Sequence, residues 1–192
     1  MNYYIGRFLF RIIFRVAFRL NVYGRYNMPA GPCLIVSNHN SLIDPPLVSS
    51  CLRRPIYFMA KKELFDIPVF GDLIRSAHAF PVNRHAADLS TVKKAIKLLK
   101  SGRSLLLFPE GTRKKSDKKI HRGVSLLAHK AGVPVVPCRL FNNEKPYRFR
   151  RLACRIGKPV NFSLLPGEKA NSRLYLDFAE ELVNRIYELQ DN

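Results

Sequence analysis

His39 and Asp44 are residues whose types and spacing suit proton transfer. They lie in Ser37-Asn38-His39-Asn40-Ser41-Leu42-Ile43-Asp44-Pro45-Pro46, directly after the apolar run Cys33-Leu34-Ile35-Val36. A run that short and that apolar reads as a buried strand. Asp44 before Pro45 reads as a helix start, because an aspartate N-cap accepts backbone N–H groups and proline is tolerated at the first helical position. Within one continuous helix the two side chains would be rotated apart, but across a tight strand-to-helix turn they can approach. A carboxylate on one ring nitrogen then fixes the tautomer, and the other nitrogen is free to take a proton. Alone, such a pair is weak evidence, since a polar turn residue beside a capping aspartate accounts for it equally well.

Two further stretches repeat the layout. In Ser104-Leu105-Leu106-Leu107-Phe108-Pro109-Glu110-Gly111-Thr112-Arg113 a second buried strand ends in a carboxylate, a glycine and a basic residue. Ala79-Phe80-Pro81-Val82-Asn83-Arg84 is a third strand-like segment with its basic residue at the end. One imidazole with a carboxylate behind it, and arginines on the same rim, suits deprotonation of an alcohol held by a phosphate. Arg84 and Arg113 would make charge-assisted contacts to that phosphate, and the basic tract from Lys114 to Arg122 would draw it in. Glu110 would bond an acceptor hydroxyl or fix Arg113. Read singly, Arg84 and Arg113 are equally well surface ion pairs, and Glu110 a capping carboxylate.

These residues need elements that bring them to one place. Short apolar strands alternate with helices expected at Pro45–Leu52, Val69–Ser76, Asp88–Lys100, Val124–Ala131 and Arg173–Leu189. That alternation predicts a single α/β domain with a largely parallel, mixed sheet flanked by helices. Ligands of such sheets bind beyond the carboxyl ends of the strands. His39 with Asp44, Arg84, and Glu110 with Arg113 each follow a different predicted strand, so parallel pairing would gather them on one edge.

The bulk properties narrow the setting. At 192 residues the chain is long enough for one domain with a sizeable core. Its 33 Lys and Arg against 14 Asp and Glu give a net charge of +19, which favours an anionic partner: nucleic acid, a membrane surface, a phosphorylated substrate or an acidic carrier. The 4 cysteines are scattered without a C-x-x-C, so reduced thiols in a cytosolic compartment and no metal site are expected. Gly123-Val124-Ser125 lacks the second glycine of a hydrolase elbow, and no glycine-rich phosphate loop is present.

Residues 1–22 have a character of their own, set apart from an expected catalytic domain at 23–192. Arg7, Arg11, Arg15 and Arg19 recur every fourth position among large apolar residues, forming a stripe along one helix. A spanning helix would hold arginines near the bilayer centre at about 2.5–3.5 kcal/mol each. A helix lying in an anionic interface is expected instead, with its apolar side buried and each arginine contributing about 1 kcal/mol. Val22 to Pro32 reads as a connector.

At this point the residues carry a resemblance. His39-Asn40-Ser41-Leu42-Ile43-Asp44, Phe80-Pro81-Val82-Asn83-Arg84, Phe108-Pro109-Glu110-Gly111-Thr112-Arg113 and Val133-Pro134-Val135-Val136-Pro137 resemble the four ordered blocks of the glycerolipid acyltransferases, typified by 1-acylglycerol-3-phosphate acyltransferase. The likeness spans about Cys33 to Cys138, and His78 stands where that family usually has glycine. The resemblance implies transfer of a fatty acyl group from acyl-CoA or acyl carrier protein to a lysophospholipid hydroxyl, in phospholipid biosynthesis and without a further cofactor. It implies His39 as general base, Asp44 as its partner, and Arg84, Glu110, Gly111, Thr112 and Arg113 as acceptor-binding residues. Val133 to Pro137 would lie near the acyl chain. An apolar groove is expected near the N-terminal helix, with the enzyme at the cytoplasmic face of the membrane, peripheral or monotopic.

Other acceptors, glycerol 3-phosphate or a phosphate-free lysolipid, fit the same blocks. Outside enzymes, the charge and the basic, aromatic segment Lys145 to Arg155 would suit a nucleic-acid-binding module, but that segment matches no recognised reader motif.

Overall fold

The central strand follows from the apolar run that opens the motif. In the computed structural model, which describes residues 3–82, 89–113, 116, 119–148, 150–165 and 167–191, Leu34–Ser37 is buried throughout. Alternation sends Cys33 and Ile35 into one core and Leu34 and Val36 into another, on opposite faces of the sheet. A strand covered on both faces has no need of polar alternation, which explains its continuous apolar sequence.

In chain order the strands are β1 (Asn21–Tyr23), β2 (Leu34–Ser37), β3 (Ile56–Lys61), β4 (Ala79–Val82), β5 (Ser104–Leu107), β6 (Val135–Phe141) and β7 (Ala153–Ile156). They form one sheet in the order β1-β7-β6-β2-β5-β3-β4. From β6 through β4 every pairing is parallel. β7 runs antiparallel to β6, and β1 runs parallel to β7. The expected mixed, largely parallel α/β sheet is therefore present. Its two reversed strands replace segments read as a connector and as a basic stretch; at 3 and 4 residues they are too short for a periodicity signal.

Helices α1 (Tyr3–Ala17) and α2 (Asp44–Cys51) cover one face, around a core that includes Phe14, Leu47 and Val48. Helix α3 (Phe70–Ser76) packs through Ile74 in a smaller cluster with Phe65. On the other face lie α4 (Leu89–Lys100), α5 (Gly123–Ala131) and α6 (Ser172–Glu188). Asn171 caps α6 by accepting from the backbone N–H groups of Arg173 and Leu174. Leu182 and Ile186 of α6 are fully buried, worth about 1.5–3 kcal/mol each.

Helix α1 corrects the expected orientation of its arginines. Arg7 donates to the Arg53 carbonyl at 3.0 Å, and Arg11 donates to those of Ser50 and Leu52 at 3.1 and 2.6 Å. These carbonyls lie at the C-terminal end of α2, where backbone acceptors lack helical partners and the helix dipole is negative. Two arginines of the stripe thus face the domain. The outward side of α1 is instead apolar, with Tyr4, Ile5, Phe8, Leu9, Ile12, Ile13 and Val16 exposed. Among the described residues no helix is long and apolar enough to cross a membrane.

Candidate active site

Because β2, β5 and β6 run parallel, the loops after them emerge on one edge. The loop after β2 carries His39, and the turn into α2 brings Asp44 back to it, with His39 Nδ1 and Asp44 Oδ2 2.9 Å apart. Both are buried. The same Oδ2 accepts the backbone N–H groups of Asn40 at 2.7 Å and Ser41 at 2.8 Å, while Oδ1 accepts Asn143 Nδ2 at 2.8 Å. Asn40, Ser41 and Asn143 all use the carboxylate as acceptor, which makes Nδ1 the donor as well; in the neutral imidazole Nε2 then carries the lone pair.

Asp44 is not the N-cap expected from sequence. It is the first residue of α2, the cap position is Ile43, and no side-chain cap bond forms. The reason is local: Pro46 has no N–H, the next donor, the Leu47 N–H, is taken by the Ile43 carbonyl at 2.9 Å, and the carboxylate folds back onto the turn.

Asn143, which follows β6, is a functional residue that sequence reasoning missed. It lies 99 positions from Asp44, and no local pattern marks it. Asn38 ties the same two strands together, donating to the Leu140 carbonyl at 3.0 Å and accepting from the Leu140 N–H at 2.8 Å. Phe108, beyond the end of β5, stacks on the His39 ring with centroids 4.0 Å apart and planes at 17°. Bonded at Nδ1 and stacked on one face, the imidazole is held in one orientation.

Glu110 and Arg113 reach the same edge by the loop after β5. Glu110 is buried at 7% exposure, and its Oε1 accepts the Tyr187 hydroxyl of α6 at 2.8 Å. Gly111 has φ +66°, and a Cβ there would fall 2.6 Å from His121 Nε2. The left-handed backbone and the close imidazole together favour glycine in that tight reversal. The Thr112 N–H closes it by donating to the Glu110 carbonyl at 2.8 Å. Arg84, directly after β4, falls outside the described residues.

A groove of about 250 Å³ runs along this edge, with His39, Phe108 and Arg113 in its wall. Gly6 and Phe10 of α1 and Ser49 of α2 form one side. Phe58 and Ala60 of β3, with Leu73 of α3 and Ala77 just after it, form the other. Val133 to Pro137 are not among its lining residues. Val133, Val135 and Val136 are buried core, and their end of β6 pairs with the start of β2, opposite the edge that carries His39. β6 reaches the site through Leu140 and the loop beyond Phe141.

The arrangement can remove a proton from an alcohol beside an apolar chain and an anion. It offers no thiol nucleophile, because the 4 cysteines are all free and buried. Burial raises the Cys33 thiol above its ordinary range, and Cys138 is raised by its bond with Cys154 and by burial. Among the described residues no group of His, Cys, Asp and Glu is placed to hold a metal ion. The basic stretch that suggested nucleic acid is partly core, since Leu152, Ala153, Cys154 and Ile156 are buried.

Comparison with known proteins agrees with this geometry. The family model described as Acyltransferase matches residues 19–140. A 1-acyl-sn-glycerol-3-phosphate acyltransferase of Bacillus subtilis is 30% identical over 189 residues, covering 94% of this chain and 93% of that protein. One from Streptococcus pneumoniae is 39% identical over 106 residues, covering 54% of this chain and 39% of that protein. The crystal structure of the 1-acyl-sn-glycerophosphate (LPA) acyltransferase PlsC from Thermotoga maritima shares the fold, with a TM-score of 0.67 at 24% identity over 97% of this chain and 83% of that one. Through both the family match and the near full-length relative, this chain belongs to the acyltransferase family.

Proposed function

We propose that this chain moves a fatty acyl group from an acyl thioester to the free hydroxyl of 1-acylglycerol 3-phosphate. The observation that carries the reading is the His39 ring, its Nδ1 bonded to Asp44, lining an apolar groove that also holds Arg113. His39 takes the hydroxyl proton at Nε2 as the alkoxide oxygen attacks the thioester carbonyl. The tetrahedral intermediate collapses by breaking the C–S bond, and the leaving thiolate takes the proton from Nε2. No acyl-enzyme is needed, because a thiolate leaves readily, and this fits the burial of every cysteine. Arg113, with Arg84, binds the acceptor phosphate through charge-assisted contacts. Glu110, Gly111 and Thr112 shape the loop that presents Arg113. The acyl chain lies in the groove, each buried methylene contributing about 0.8 kcal/mol.

The same reading sets the enzyme on a membrane face as a peripheral or monotopic protein. It is supported by the exposed apolar side of α1 and by Leu42 and Phe70, which are exposed on the rim of the groove. Lysolipid would then enter the groove from the lipid phase.

The test is a matrix of acyl-CoA and acyl carrier protein donors against lysophosphatidic acid, glycerol 3-phosphate and phosphate-free lysolipids, read by lipid mass spectrometry. Phosphatidic acid as the dominant product, lost in His39→Ala, is the expected result. A folded His39→Ala protein that still consumes thioester would end the proposal. Vesicle flotation of Phe8→Glu/Ile12→Glu tests the membrane face, with binding that persists undiminished speaking against it.

A further inference from the structure

Adjoining the His39–Asp44 turn is a second cavity, about 370 Å³, that the reaction as described does not use. It opens beyond the end of β6 and is lined by Asn40, Arg139, Asn143, Lys145, Arg148 and Arg150 among others. Asn40 and Asn143 both contact Asp44, so the cavity adjoins the catalytic network directly. Its four cations face one carboxylate, Glu144. Tyr187 lines the same cavity and donates to Glu110, linking it to the loop that carries Arg113.

Arg139 has a structural task, donating to the carbonyls of Tyr187 and Leu189 and stacking over the Phe141 and Tyr187 rings. Lys145, Arg148 and Arg150 are exposed, and no ion pair forms on them among the described residues. Four like charges gathered against one carboxylate repel one another, and that repulsion is relieved when an anion enters.

Resting on the acyl-transfer reading, we propose that this cavity binds the phosphorylated handle of the thioester donor, the nucleotide end of coenzyme A. The reaction brings two phosphate-bearing molecules to one imidazole, and the structure offers two cationic places beside it. Arg113 sits in the apolar groove, where a lipid acceptor lies. The polar cavity lies apart from that groove and lacks its long apolar wall, so it suits a diphosphate and a 3′-phosphate rather than a hydrocarbon chain. Its concave form suits a small polyanion, and guanidinium groups bind phosphate oxygens in pairs.

The test is Arg148→Gln/Arg150→Gln in the full chain, both sites being exposed, Arg148 at the end of a single 3-10 turn and Arg150 beyond it. Steady-state kinetics with acyl-CoA and with acyl-pantetheine, which lacks the nucleotide, separate the handle from the acyl chain. The expected result is a rise of about tenfold or more in KM for acyl-CoA, with KM for lysophosphatidic acid within about twofold, as for removal of charge-assisted phosphate contacts. The wild-type preference for acyl-CoA over acyl-pantetheine should shrink by the same factor. Adenosine 3′,5′-bisphosphate should bind the wild type by calorimetry and compete with acyl-CoA, and the double variant should bind it more weakly.

A rise in KM for lysophosphatidic acid instead would give the cavity to the acceptor and overturn the proposal. Unchanged kinetics in both substrates, or a wild type that uses acyl carrier protein and does not bind the bisphosphate, would overturn it as well. A wild type that binds the bisphosphate at these arginines but transfers no acyl group would sink the acyl-transfer reading alone.

Discussion

The two hollows beside the His39–Asp44 pair differ in almost every physical respect. The groove, with His39 in its wall, is built from α1, α2, β3 and α3 and is lined mainly by apolar side chains, Arg113 being an exception. The cavity, with Asn38 and Asn40 in its wall, is built around the end of β6 and is lined by asparagines and cations. One hollow gains from expelling water around a hydrocarbon chain, and the other gains from neutralising clustered charge. Binding in the first should respond to chain length, with salt acting only through the acceptor phosphate at Arg113. The second should respond to salt and hardly to chain length.

The largest effect is expected at His39, in the wall of the groove. His39→Ala should lower transfer by about 10²–10⁴-fold, the usual share of a general base, with both hollows still able to bind their occupants. Rate measurement alongside a thermal melt checks this, and a large drop in Tm would instead mean a folding defect. Asn143→Ala comes next, because it removes the donor to Asp44 Oδ1 and leaves a buried carboxylate oxygen unpaired, at a cost of about 1–3 kcal/mol. Denaturant unfolding should show that loss, and activity should fall with it as the imidazole loosens.

Smaller effects sharpen the contrast. Ala77→Leu adds bulk to the wall of the groove and should shift donor preference toward shorter chains, at about 0.8 kcal/mol for each methylene displaced. A chain-length series of acyl-CoA substrates reads this out; an unchanged profile would place the chain elsewhere. The same series on Arg148→Gln/Arg150→Gln should keep its shape while its salt dependence flattens.

The least effect concerns His78, stacked between Tyr3 of α1 at 4.0 Å and Tyr57 at 4.6 Å between centroids. Its φ is +66°, a backbone conformation that glycine adopts more readily than histidine. Burial, with Arg103 nearby, lowers the His78 pKa. The folded state therefore disfavours the imidazolium, and the unfolded chain binds the proton more readily. Stability from this residue is fully present above the unfolded value near 6.5 and is lost as pH falls below it. His78→Asn, which tolerates the positive φ, should flatten the change in urea midpoint between pH 7.5 and 5.5.

How much was legible in the chain depended on how local each signal was. The parallel core strands could be read because strands buried on both faces are largely apolar, as in Leu34-Ile35-Val36 and Leu105-Leu106-Leu107. His39, Asp44, Glu110, Gly111 and Arg113 stood out because each follows such a strand. By contrast, β1 and β7 are too short to carry a pattern, and the face on which α1 presents its arginines depends on where α2 ends. That the arginines turn inward to Ser50, Leu52 and Arg53 is a matter of unpaired carbonyls elsewhere in the fold.

The sequence alone determined the chemistry on offer: an imidazole, a carboxylate close after it, and basic residues at strand ends, since residue type and short spacing are properties of the chain itself. Only the tertiary structure decided that Asn143 holds Asp44 from 99 positions away, that Phe108 lies against His39, and that Arg139, Lys145, Arg148 and Arg150 line one cavity. The physical reason is the sheet order: placing β2 between β5 and β6 fixes which loops share an edge, and that pairing depends on packing across the whole sheet rather than on any neighbouring residue.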